Sequence, residues 1–128
     1  MNKQRKVLVT DYPWESLKPG REMEVLTGLA SGGCQLILFT TGVGAPQRFP
    51  LCPVIKISGN KNTCLHLKEH IDVDVSTVIR DEESIAEGGG RIFKEIIKVA
   101  SGKKVKAELL DYDANGVDTD IYVKGPVI

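Results

Sequence analysis

The stretch QLILFTTGVGAP, residues 35–46, decides how this chain is read. It opens on Leu36, Ile37, Leu38 and Phe39, an apolar run that predicts a strand covered on both faces. It then passes through Thr40 and Thr41 into Gly42, Gly44 and Pro46, residues that end a strand and turn the chain. Two readings of that turn stand side by side. It is a plain corner, or the two hydroxyls and the Gly42–Gly44 amides form a small anion-binding nest. No Walker loop fits anywhere, and the dinucleotide fingerprint fails because its third glycine falls on Gln47.

Outward from this stretch, strands and helices alternate. Residues 6–12 (KVLVTDY) form a β-branched run that predicts a strand, and 13–20 a Pro- and Gly-containing connector. Residues 21–33 place Met23, Leu26, Leu29 and Ala30 at helical spacing, stopped by Gly32 and Gly33. VIKIS (54–58) alternates as a strand, which sets Lys56 and Ser58 on one face with Asn60 in line. Residues 61–71 predict a short helix with Cys64, Leu65 and Leu67 inward, and 71–79 a short strand or extended segment. Residues 84–103 carry the clearest helix. Ser84 and Glu87 have capping-box spacing, Ile85, Ile92, Phe93, Ile96, Ile97 and Ala100 make the apolar stripe, and Gly102 suits the C-terminal left-handed position. Gly88–Gly90 within it signal either close approach of another backbone or a partner, or a helix that starts only at Gly90. The tail TDIYVKGPVI offers a last strand. The pattern predicts one domain over residues 1–128: an α/β, layered, Rossmann-like fold with a mostly parallel sheet and helices packed on it. In such sheets ligands bind beyond the carboxyl ends of the strands, where the Thr-Gly loop sits.

Composition narrows the function. Lys plus Arg and Asp plus Glu balance at 17 each, so no basic field draws nucleic acid or an anionic membrane. No run approaches the ~18 apolar residues of a membrane span. Cys34, Cys52 and Cys64 are odd in number and widely spaced, which fits a reducing, cytoplasmic setting better than a disulfide framework. HLKEH (66–70) puts His66 and His70 on one helical face but supplies no third ligand, so it reads as a solvated surface. DYDANGVDTD (111–120) begins like a calcium loop, yet its twelfth position is Tyr122 rather than Glu, so it reads as a polar turn. Asp72 and Asp74 alternate and read as solvated too.

Taken in order, GLASGGCQLILFTTGVGAP, PVIKISGN, DVDVSTVI and IFKEIIKVASGKKVKAE resemble the C-terminal region of the altronate and galactarate dehydratases, a family of sugar-acid hydro-lyases. The resemblance runs over roughly residues 20–125. It implies loss of water from aldonic or aldaric acids to give 2-keto-3-deoxy acids, with a divalent metal, typically ferrous iron. A related branch acts on sulfonated hydroxy acids. It also implies a domain rather than a whole enzyme, because family members carry further domains upstream. The chain then reads as a truncated piece or a separately encoded part of a split enzyme, inactive alone, with an upstream catalytic domain or subunit as partner. A homo-oligomer is compatible with this. Thr40, Thr41, Gly42 and Gly44 match the family's Thr-Thr-Gly-x-Gly loop, and Lys56, Ser58 and Asn60 its next strand end. The resemblance makes these seven the substrate-binding set. It assigns no catalytic residue and no metal ligand here, and leaves iron to the upstream domain. One departure matters: Val43 stands where the family has Arg between the glycines, and Val cannot fork onto a carboxylate. The competing expectations are a non-catalytic module binding a small anion or a protein, and a calcium-binding domain through Asp111–Asp120.

Overall fold

The structure, a computed structural model, describes residues 22–111. The expected strands at 6–12 and in the C-terminal tail, and nearly all of the calcium-like segment, lie outside the described residues.

Helix α1 (Glu22–Ser31) is followed by β1 (Ile37–Thr40) and β2 (Val54–Ser58). Then come α2 (Lys61–His66), β3 (Val73–Asp74), α3 (Ser76–Ile79), α4 (Ile85–Ala100) and α5 (Lys106–Leu110). The three strands pair in parallel in the order β1-β2-β3. Ile37 registers on Val54, Phe39 on Lys56 and Ile57 on Val73. The parallel α/β architecture agrees with the reading of the sequence.

Strand alternation sends β2 into two cores. Val54 joins Met23 and Leu26 of α1, Ile37 of β1, and Phe49 and Cys52 of the β1–β2 connection. On the other face Ile55 and Ile57 join Val73, Val99 of α4 and Val105, with Ile92 and Ile96 packed against them. Helices therefore cover both faces of β2, and all five of its residues are buried. β1 is less enclosed than expected. Among the described residues it pairs on one side only, and Leu38 is 44% exposed.

The predicted caps form. Ser84 Oγ accepts from the Glu87 amide, and the Glu87 carboxylate accepts from the Ser84 amide. Gly102 takes φ 101. The helix begins at Ile85, so the three glycines lie inside it, and close approach concerns Gly88 alone: a Cβ there would meet Val78 Cγ2 at 2.6 Å. Two expectations are corrected. In α4, Ile85, Phe93, Ile97 and Ala100 are exposed, while Glu95 is buried between Lys98 and Lys103. In α2, Leu65 is exposed and Thr63 is the buried neighbour of Cys64. The helix α3 was not anticipated; the Asp74 carboxylate accepts from the Ser76 amide at 2.8 Å and starts it.

Candidate functional site

Thr40, Ser58 and Asp74 are the last residues of three parallel strands, so they mark one carboxyl edge of the sheet. The Thr41 amide still donates to Ile57 O, and the chain then leaves the sheet. Thr41 Oγ1 accepts from the Gly44 amide at 2.9 Å and closes the loop on itself. Gly44 sits at φ 93, where a side chain is strained, and a Cβ there would run into Leu67.

The next strand end clamps this loop. Gly42 O accepts from Asn60 Nδ2 at 3.1 Å and from Thr63 Oγ1 at 2.6 Å. Asn60 Oδ1 accepts from the amides of Asn62 and Thr63, which caps α2. Ser58 Oγ accepts from the Asn60 amide at 3.2 Å. One side chain, Asn60, thus starts a helix with its oxygen and fixes the glycine loop with its nitrogen. Thr40, Gly42, Val43 and Asn60 are exposed, whereas Ser58 is enclosed. Among the described residues nothing accepts from the Gly42 or Val43 amide.

Six of the seven residues singled out in the sequence therefore meet at this edge. Lys56 lies further back. It is 2% exposed, and its Nζ donates to Gln47 O at 2.7 Å. It lines a small cleft with Met23, Leu26 and Phe39. Burial pushes its ammonium down to about 8, against an opposing pull from Asp72. Lys56 grips the far limb of the loop from beneath.

The edge holds groups that spacing alone did not reveal. The Asp74 carboxyl would rise with burial, but the Ser76 amide, the Cys64 thiol and the Arg91 charge hold it below its ordinary range. Arg91 Nη1 donates to Asp74 O at 2.6 Å, and its other nitrogens donate to Glu83 and Thr77. Arg91 and then Thr77 draw the Glu83 carboxyl down as well. Cys64 Sγ donates to Ser58 O at 3.5 Å, and burial pushes its thiol up. Arg91 is 17 positions from Asp74, and no short motif links the two. Asp72, by contrast, is consumed structurally: its oxygens accept from the amides of Lys56 and Lys106, both at 2.8 Å.

Among the described residues no three His, Cys, Asp or Glu side chains cluster. His66 Nδ1 lies 2.8 Å from Asn62 O. Arg48, the nearest cation in sequence to the Val43 departure, pairs with Asp111 at 2.5 Å. No described helix is long and apolar enough to cross a membrane.

Comparison with known proteins matches residues 11–121 to the family described as D-galactarate/Altronate dehydratase, C-terminal. The (2R)-sulfolactate sulfo-lyase subunit beta of Chromohalobacter salexigens is 37% identical over 89 residues, covering 70% of this chain and 23% of that protein. Galactarate dehydratase (L-threo-forming) of Escherichia coli is 33% identical over 86 residues, covering 67% and 16%. Altronate dehydratase of Bacillus subtilis is 30% identical over 94 residues, covering 73% and 19%. The chain thus spans about a fifth of the length of these relatives. The match over most of the chain places it in one family: it belongs to the D-galactarate/altronate dehydratases, as their C-terminal region.

Proposed function

We propose that this chain is the C-terminal domain or subunit of a lyase acting on hydroxylated carboxylic acids, with galactarate- and altronate-like sugar acids as substrates. In such an elimination the proton beside the carboxylate and the hydroxide on the next carbon depart together as water. The enol left behind becomes the 2-keto-3-deoxy acid. The observation that carries the reading is the clamped loop at the carboxyl edge, where Thr40, Gly42, Val43 and Asn60 are exposed in the turns that follow β1 and β2. Amides and hydroxyls of this kind suit a polyhydroxylated anion.

On this reading the geometry supports a division of roles. Thr40, Gly42 and Asn60 contact substrate; Thr41, Gly44, Ser58 and Lys56 hold the loop in shape. With Val43 at the 85%-exposed tip, no guanidinium forks onto the carboxylate there, and amide donors take its place. The proton-abstracting base and the ferrous ion belong, on this reading, to the remaining four-fifths of the enzyme, its partner in the cytoplasm. The described residues supply no step through the metal. A second reading concerns the leaving group. Identity of 37% to the sulfo-lyase subunit, against 33% and 30% to the dehydratases, favours testing sulfite beside hydroxide.

The test has two arms. Galactarate, altronate and sulfolactate are offered to the chain alone, with and without ferrous iron, and turnover and melting temperature are followed. The expected result is no turnover, and a rise in melting temperature with one acid that is lost in Thr41→Val. Robust turnover by the chain alone would overturn the division of labour. A melting temperature indifferent to all three acids would overturn the binding role and favour a protein-binding module.

A further inference from the structure

The carboxyl edge is polarised in charge across its three strands. From Thr40 to Asn62, the stretch that supplies the ends of β1 and β2, the chain holds Arg48, Lys56 and Lys61 and no carboxylate. From Asp74 to Arg91, the stretch that leaves β3, it holds five carboxylates and two arginines. Both arginines are spent within that stretch: Arg80 pairs with Glu82, and Arg91 holds Glu83, Thr77 and the Asp74 carbonyl. On the other side Arg48 pairs with Asp111 and Lys56 is enclosed, while Lys61 is exposed next to Asn60 in the chain. Asp74 is the carboxylate set in the edge itself. It registers on Ser58, and because Ile57 and Val73 face the α4 core, Asp74 projects on the face of Ser58 and Lys56. The helix that Asn60 caps stands there too: Cys64 Sγ donates to Ser58 O, and its thiol also reaches the Asp74 carboxylate. The Ser76 amide holds one carboxylate oxygen at 2.8 Å. The Asp74 side chain is thus fixed yet exposed, and among the described residues no Lys or Arg forms an ion pair with it.

Resting on the binding role proposed above, we infer that this edge selects a singly charged polyhydroxy acid and sets its direction, with the carboxylate at the Gly42 and Val43 amides beside Lys61 and the hydroxylated end against Asp74. Neighbouring strands lie ~4.8 Å apart, so the ends of β1 and β3 are about 10 Å apart, a gap that a six-carbon acid can bridge. Asp74 is the specificity-determining group. Its carboxylate accepts hydrogen bonds from hydroxyls and repels a second carboxylate or a sulfonate. Val43 acts in the same sense, because the loop tip brings no guanidinium to hold a further anion. An aldonic acid carries one anionic group and a neutral hydroxylated tail. An aldaric acid, like sulfolactate, carries a second anion at its other end. Galactarate and sulfolactate are therefore disfavoured against altronate by about tenfold.

The experiment is titration of the full chain with altronate, galactarate and sulfolactate, with affinities taken from amide NMR at low and at physiological salt. It is run on wild type, Asp74→Asn and Lys61→Gln. Asparagine still accepts from the Ser76 amide, so the turn into α3 is kept. Wild type is expected to bind altronate about tenfold tighter than galactarate, and the gap to narrow as salt rises, a readout that needs no variant. Asp74→Asn is expected to shrink the gap severalfold by strengthening galactarate. Lys61→Gln is expected to weaken both acids. Galactarate or sulfolactate held at the loop amides as tightly as altronate overturns the inference and leaves the binding role standing. So does a gap unchanged in Asp74→Asn or indifferent to salt. Loop amides that respond to no acid overturn both.

Discussion

Replacing Lys56 with methionine should change how stability depends on pH. Lys56 is 2% exposed and donates to a single carbonyl, that of Gln47. Burial moves its ammonium from 10.5 to about 8, with Asp72 offsetting part of the cost. Below pH 8 the group is charged in both folded and unfolded chains, and folding carries the full desolvation cost. Between about 8 and 10.5 the folded chain gives up the proton while the unfolded chain keeps it, so Lys56 makes stability rise with pH there. The gap between the two values, at ~1.4 kcal/mol per pH unit, corresponds to about 3 kcal/mol. Urea denaturation of wild type and Lys56→Met from pH 7 to 10.5 reads this directly. Other titrating groups cancel in the difference, as does the pH-independent loss of the bond to Gln47. Wild type should gain about 3 kcal/mol on the variant across the window. Parallel profiles, or wild type losing ground as pH rises, would refute the burial of a charged lysine beneath the loop.

Other consequences follow from single contacts. Asp72→Asn weakens two backbone anchors, at Lys56 and Lys106, and should cost roughly 2–3 kcal/mol in the same denaturation assay. It should also move the Lys56 transition to lower pH, because Asp72 is what holds that pKa up. Gly44→Ala combines a left-handed φ of 93 with a collision against Leu67 and should cost about 2 kcal/mol or more. Gly89→Ala, in open space on a helix, should instead raise stability by about 0.5–1 kcal/mol, visible as a higher urea midpoint. Ser84→Ala removes one half of the capping box and should lower the thermal midpoint by an amount matching about 1 kcal/mol.

What could be read from the sequence was what depends on near neighbours in the chain. The capping box, the turn at Gly102 and the strands around Phe39 and Ile57 each follow from spacing within a few residues. Burial depends on what arrives from elsewhere. VIKIS reads as a half-buried strand; it is wholly buried because β1 and β3 flank it while α1 and α4 cover its faces. That is why Lys56 is enclosed. The periodicity of α4 shows a wide apolar arc but not which part of it meets the sheet, so Ile85, Phe93 and Ile97 were placed inward when they face out. Glu95 goes in because Lys98 and Lys103 accompany it. At the site, the Thr-Gly loop and Asn60 were legible as candidates, but their mutual clamp through Gly42 O was not, since Asn60 is 18 positions away. Asp72 and Asp74 look alike in the sequence. One is spent on amides of two segments, and the other ends a strand at the open edge.

The proposal that this carboxyl edge meets a hydroxy acid is most directly tested by amide NMR of the labelled chain, titrated in turn with galactarate, altronate and sulfolactate. Binding as described should move the Gly42, Val43 and Asn60 amides in a saturable way with one acid, and leave those of Gly89 and Ile97 still. Loop amides unmoved by all three acids, or shifts confined to another part of the chain, would contradict it.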